Sequence, residues 1–169
     1  MPQDNTVLKA ASILLLSCLS YNALAEQNAG LKILHYGIYA HTPDNGTTWI
    51  NPVSDKAINS TSASPVHLQS TRAIPARAPL FFGFEYQISG LNEKTIKLDF
   101  DVTHPEIKQK DGTISSHYKE SSTFLVIDKK VTAIKGYLLE NENELEKGKW
   151  VFDVKRQGKT IASQHFTVN

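Results

Sequence analysis

Thr95-Ile96-Lys97-Leu98-Asp99-Phe100-Asp101-Val102-Thr103 alternates apolar and polar side chains without a break after its first residue. A β-strand turns successive side chains to opposite faces. Ile96, Leu98, Phe100 and Val102 therefore share one side and Lys97, Asp99, Asp101 and Thr103 the other, as a sheet with one dry and one wet face requires. Upstream, Phe82, Phe84, Tyr86 and Ile88 repeat the pattern, and Gly90-Leu91-Asn92-Glu93-Lys94 reads as the turn between the two strands. Downstream, Asp111-Gly112 predicts a hairpin with a type I′ turn, because that turn needs positive φ at both central residues and Asp-Gly tolerates it. It joins a strand ending near Lys108 to one through Ile114, Ser116 and Tyr118.

Further strands are expected over 34–40, 123–127, 132–139, 150–156 and 161–168. The last two turn at Gln157-Gly158-Lys159, with Trp150, Phe152 and Val154 facing inward. About eight short strands with turn residues between them, and no sustained helical spacing, predict an all-β fold: an antiparallel β-sandwich of immunoglobulin-like architecture. The stricter antibody pattern is absent, since the chain has one Cys and so no Cys-to-Trp-to-Cys spacing.

Residues 42–79 break the rhythm. They are rich in Pro, Ser, Thr and Asn, with Trp49, Ile50, Val53, Ile58, Val66, Leu68 and Ile74 as apolar anchors. Such an insert either holds edge strands, over 47–53 and 66–72, or is a loop that carries binding. Pro65, Pro75 and Pro79 suit edge positions because they cannot donate to a ladder. The acidic run 140–146 reads as a solvated loop.

The chain has 169 residues, 40% of them apolar, enough for one core and too few for two. Eighteen basic residues against seventeen acidic, net charge +1, remove the electrostatic case for nucleic acid or for a polybasic membrane anchor. A single Cys excludes an internal disulfide and a thiolate metal cluster.

Residues 8–19 carry an apolar core flanked by Lys9, too short to span a bilayer and right for a signal peptide. Ala23-Leu24-Ala25 offers a small-x-small cleavage site before Glu26. The expected organisation is a signal peptide over 1–25 and a single sandwich domain over 26–169, periplasmic or secreted. Leu15-Leu16-Ser17-Cys18 also resembles a lipobox, so the alternative is a lipoprotein anchored at Cys18. Either way Cys18 is no catalytic thiol, and no later stretch reaches membrane-spanning length.

Gly37-Ile38-Tyr39, Ile74-Pro75-Ala76, Phe82-Gly83-Phe84-Glu85-Tyr86 with Gly90, His104-Pro105, and Gly148-x-Trp150 followed by Phe166-x-Val168 together resemble domain-of-unknown-function family 3859. The resemblance implies a small exported bacterial β-sandwich protein with no assigned activity and no catalytic residues to carry over.

Candidate sites are few. His35 and His41 are about 20 Å apart on an unbroken strand, at roughly 3.3 Å per residue, and cannot share an ion. His104 and His117 flank the Asp111-Gly112 hairpin, with Glu106 nearby as a third metal ligand; the plainer reading is two half-exposed strand histidines. Asp99 and Asp101, about 7 Å apart on one face, suit a cation or acid–base pair, but alternate with apolar residues as any wet face does. No serine-nucleophile, zinc-hydrolase, phosphate-loop or dinucleotide signature occurs, and no cofactor is expected. Tyr36 shares the phase of Leu34 and Ile38 and belongs to the core. Tyr39 takes the opposite phase and Trp49 lies in the insert, so these two are the candidate exposed anchors for a partner.

The function expected from the sequence is an exported, non-catalytic binding or accessory module of the cell envelope, its partner a protein or a glycan. A structural component that recruits a partner through an edge strand is the alternative, and a hydrolase with a dispersed site comes last. An exposed Tyr39 or Trp49 with no buried charge cluster favours binding. Convergence of Asp99, Asp101 and His104 in a cleft favours catalysis. An unpaired edge strand favours strand addition.

Overall fold

The computed structural model describes residues 30–40, 65–109 and 111–169, together with the backbone alone of 47–50 and 57–60. The expected signal peptide, Cys18, His41 and the side chain of Trp49 lie outside the described residues.

Alternating sequence becomes strand almost throughout. In chain order these are β1 (Gly30–Ala40), β2 (Thr47–Ile50), β3 (Ala57–Ser60), β4 (Val66–Gln69), β5 (Ala73–Ile74), β6 (Leu80–Ser89), β7 (Thr95–Lys108), β8 (Ile114–Leu125), β9 (Lys130–Leu139), β10 (Gly148–Arg156) and β11 (Lys159–Val168). Two sheets form, ordered β4-β1-β6-β9 and β5-β11-β10-β7-β8, and β2 pairs with β3 as a separate ribbon. Every pairing is antiparallel except β5 with β11. The insert thus contributes the expected edge strand at β4, and the β2–β3 ribbon falls within it.

The inward phase of each strand builds one core. Phe82, Phe84, Tyr86 and Ile88 of β6 meet Leu98, Phe100 and Val102 of β7, Trp150, Phe152 and Val154 of β10, and Phe166 and Val168 of β11, all nearly inaccessible to solvent. Phe82 sits at the centre. Its ring meets those of Trp150, Phe152 and Phe166 edge to face, with centroids 5.5, 5.8 and 5.4 Å away, the arrangement favoured by aromatic quadrupoles.

Gly83 pairs with Gly136 across β6 and β9, where a Cβ on either residue would collide with the neighbouring backbone. The bare patch is covered by Phe81, whose ring lies where a Gly136 side chain would stand. Phe81, Tyr39 and Leu138 form a second, smaller apolar cluster on that sheet.

Four expectations are corrected. Gly90–Lys94 does not close a hairpin, because β6 and β7 belong to different sheets; the segment crosses between them. The residues expected as two strands, through Tyr118 and over 123–127, form the single strand β8 as far as Leu125. Asp111-Gly112 is not the centre of a type I′ turn: the Gly112 N–H bonds Gln109 O at 3.0 Å, so Gly112, with φ 89°, is the last residue of the turn. The residues with two successive positive φ values are Asp128-Lys129 (51° and 60°) and Gln157-Gly158 (51° and 78°), which close the β8–β9 and β10–β11 connections. Finally, the acidic run is not wholly solvated. Glu144 is fully buried, and its carboxylate accepts from the backbone N–H of Glu140 (2.7 Å) and from Asn141 Nδ2 (2.8 Å).

Candidate functional site

The outward phase of β7 delivers Lys97, Asp99, Asp101 and Thr103 to the open face of the five-stranded sheet, as their alternation requires. Cross-strand register then fixes their neighbours. Asp101 lies opposite Lys119 of β8 and Asp153 of β10, Asp99 opposite Ser121 and Lys155, and Thr103 opposite His117. Asp101 and Asp153 are like charges directly across a ladder, which costs stability unless a cation intervenes.

Lys155 is that cation. Its ammonium donates to Asp101 at 2.8 Å, the His117 imidazole bonds the other carboxylate oxygen, and the Lys119 ammonium stands 3.7 Å off. These contacts, the Lys155 hydrogen bond foremost, hold the Asp101 carboxyl down at about 2. Next to it, the Ser121 hydroxyl donates to Asp99 at 2.6 Å and Lys97 lies 3.7 Å away. Asp99, Asp101, Lys119, Ser121 and Lys155 line a shallow concavity of about 420 Å³. A carboxylate ionised at every working pH neither gives nor takes a proton in catalysis. What the face offers is a fixed pattern of hydrogen-bond donors and acceptors on rigid strands.

The expected metal group does not assemble. His117 faces outward beside Asp101, while His104 faces the core, 3% exposed and stacked on Trp150. Adjacent residues on a pleat point apart, and His117 pairs with Thr103 rather than with His104. Glu106 is exposed on its own. No group of three or more His, Cys, Asp or Glu side chains that could hold a metal occurs among the described residues. Asp99 and Asp101 likewise lie on the opposite side of β7 from His104, so the three do not converge.

Tyr39 is corrected from exposed anchor to buried residue. It does take the phase opposite to Ile38, but Phe81 and Leu138 cover it and leave it 3% exposed. Burial pushes its hydroxyl up to about 12. Its ring meets that of His67 on β4 at 5.2 Å, and His67 in turn stacks on His35 at 4.9 Å. Tyr36 packs against the main core as expected, with the Arg72 guanidinium 4.7 Å over its ring.

One feature escaped the reading of the sequence. Lys135 stands in the inward phase of β9, between Ala133 and Tyr137, and its ammonium bonds Glu120 in the inward phase of β8. Burial pulls the Lys135 pKa down, against the raising effect of Glu120. Strand phase would have found both residues: Lys135 shares that of Val131, Tyr137 and Leu139, and Glu120 that of Tyr118 and Phe124.

Two packed antiparallel sheets with this core define an immunoglobulin-like β-sandwich. An immunoglobulin-like protein from Pseudomonas aeruginosa has the same fold, with a TM-score of 0.58 and 22% identity over 85% of this chain and 99% of its own. Residues 27–168 match the family described as Domain of unknown function (DUF3859), and the chain belongs to it. A Pseudomonas fluorescens alkylpurine DNA glycosylase, bound to DNA containing an abasic site analog, aligns at 12% identity over 58% of this chain and 28% of its own; its TM-score of 0.36 carries no argument. Among curated proteins none matches this chain.

Proposed function

We propose that this protein is an exported, non-catalytic binding module of the bacterial cell envelope, and that its partner is another protein held on the open face of the five-stranded sheet. Export rests on the apolar core within residues 8–19 and the Ala23-Leu24-Ala25 site. The binding reading rests on the Asp101-centred array: charges pinned across three strands around an open concavity, with the central Asp101 carboxyl held down at about 2. The charged character of that face favours a protein over a glycan, and Tyr39, packed against Phe81 and Leu138, offers no ring for a sugar to stack on.

Lys119 is 68% exposed, so reversing its charge leaves the fold intact. The immobilised protein is used to capture partners from envelope extract, alongside Lys119→Glu/Ser121→Lys and the control Lys32→Glu, an exposed lysine on the other sheet. A protein retained by the wild type and by Lys32→Glu, and lost by the double variant, supports the reading. Equal retention by all three overturns it.

A second reading, partner recruitment by strand addition, has its own observation. β4 pairs only with β1 among the described residues, leaving its other side free, with Val66 63% and Leu68 62% exposed.

A further inference from the structure

β8 and β9 leave the tight turn at Asp128-Lys129 and part. β8 becomes the last strand of the five-stranded sheet and β9 the last of the four-stranded one. One flank of the sandwich therefore carries two strands of 12 and 10 residues, each unpaired on its outer side among the described residues. Long free edges are templates on which a second copy of the same chain can add strands.

At the middle of each edge stands a charge turned inward. Glu120 lies between Tyr118 and Ser122 on β8, and Lys135 between Ala133 and Tyr137 on β9. The ammonium of Lys135 bonds Glu120 and lies 5.2 and 5.3 Å from the ring centres of Phe100 and Tyr118. The Lys135 side chain is 6% exposed and that of Glu120 34%, so water reaches the pair through Glu120, from the open flank. The stability of the sandwich does not explain the pair, since apolar residues of similar volume usually serve a core as well or better.

We propose that the Glu120–Lys135 pair is an edge guard: it keeps the β8–β9 flank from pairing with a second copy of this chain. A strand laid along β8 or β9 covers the flank, strips the remaining water from Glu120 and leaves the whole pair in a dry interior. Symmetry adds to the barrier. Antiparallel self-pairing of β8 centred on Glu120 sets two glutamates opposite one another, and pairing centred on Lys119 sets two lysines opposite. The guard does not rest on the binding face proposed above: Lys119 and Ser121 take the opposite phase of β8 from Glu120, although Glu120 also borders the concavity.

The test is the oligomeric state of the purified protein, by sedimentation velocity over a concentration series, with a thermal melt as the check on folding. The wild type and the swapped pair Glu120→Lys/Lys135→Glu are expected to sediment as monomers. Glu120→Leu/Lys135→Met is expected to melt no lower than the wild type, yet to self-associate, with at least a doubling of mean mass at the highest concentration. Should that variant fail to fold, Glu120→Gln/Lys135→Gln, which keeps the shape at 120, shortens the side chain at 135 and removes both charges, decides by the same rise in mass. A folded, uncharged variant that stays monomeric where the wild type does overturns the proposal. So does a wild type that already dimerises through this flank.

Discussion

The imidazole of His104 lies face to face with the indole of Trp150, ring centroids 4.9 Å apart and planes 26° from parallel. Its Nδ1–H donates to the carbonyl of Pro105 at 2.7 Å, so His104 is a neutral core aromatic with one anchored nitrogen. Burial lowers its pKa from the ordinary 6.5. The unfolded chain then binds a proton more readily than the folded one, and this group's contribution to stability falls as pH drops below 6.5 toward the folded value. Denaturant unfolding of His104→Phe is expected to show a shallower loss of stability between pH 7 and pH 5 than the wild type. Truncation to Ala is expected to cost ~2–4 kcal/mol at pH 7 through the cavity beside Trp150.

Asp101 titrates in the opposite sense to an isolated carboxyl in a core. Held at about 2, below its ordinary 3.8, it contributes stability that is fully present above the ordinary value and is lost as pH falls toward 2. Asp101→Asn is expected to cost about 1–2 kcal/mol at pH 7, with the gap to the wild type closing in acid. Parallel urea melts at pH 7 and pH 3 check this.

Gly83 has no room for a methyl group: a Cβ there would fall against the Lys135 carbonyl and 2.5 Å from Gly136 Cα. Gly83→Ala is expected to lose at least ~2 kcal/mol or fail to fold, because backbone rather than a side-chain tip must move. At Gly112 a Cβ would meet nothing within 4 Å, and only the positive φ resists. Gly112→Ala is expected to cost ~1 kcal/mol. Thermal melts of the two variants separate close packing from turn strain.

Tyr39, Tyr86 and Tyr118 all have hydroxyls raised by burial, Tyr39 to about 12. Each folded pKa exceeds the ordinary 10, so the stability these residues confer is complete below pH 10 and drains away above it. Absorbance of tyrosinate against pH is expected to show a rise above pH 10 that coincides with the opening of the sandwich followed by circular dichroism; full ionisation of these three at pH 10 in the folded protein would contradict it.

Phe82→Ala removes the ring on which Trp150, Phe152 and Phe166 converge. A loss of ~3–5 kcal/mol by chemical denaturation is expected, as for other large core aromatics.

Much of this fold was legible because strand phase is local: the alternation around Phe100 and Phe152 put both in the core without any knowledge of their neighbours. Sheet membership was not legible. Gly90–Lys94 has the composition of a hairpin turn, yet β6 and β7 separate into different sheets, a choice made by which apolar faces pack rather than by the connecting residues. The type I′ turns fell on Asp128-Lys129 and Gln157-Gly158 because strand register dictates positive φ there, and Lys129 has no local mark of it. The same limit explains the site. Asp101 was visible as an outward acid, but its partner Lys155 is 54 residues away in sequence. Tyr39 was phased correctly and misjudged in exposure, since only the folded sheet brings Phe81 and Leu138 over it. Lys135 carried its signal openly, a charge in the inward phase of an otherwise apolar strand.

The binding face is tested most directly in living cells, by placing a photoreactive amino acid at position 121 on the open face of the five-stranded sheet or at position 32 on the other sheet. The expected result is a discrete protein adduct on illumination from position 121 and none from position 32. Adducts from position 32 alone, or from neither position, would contradict it.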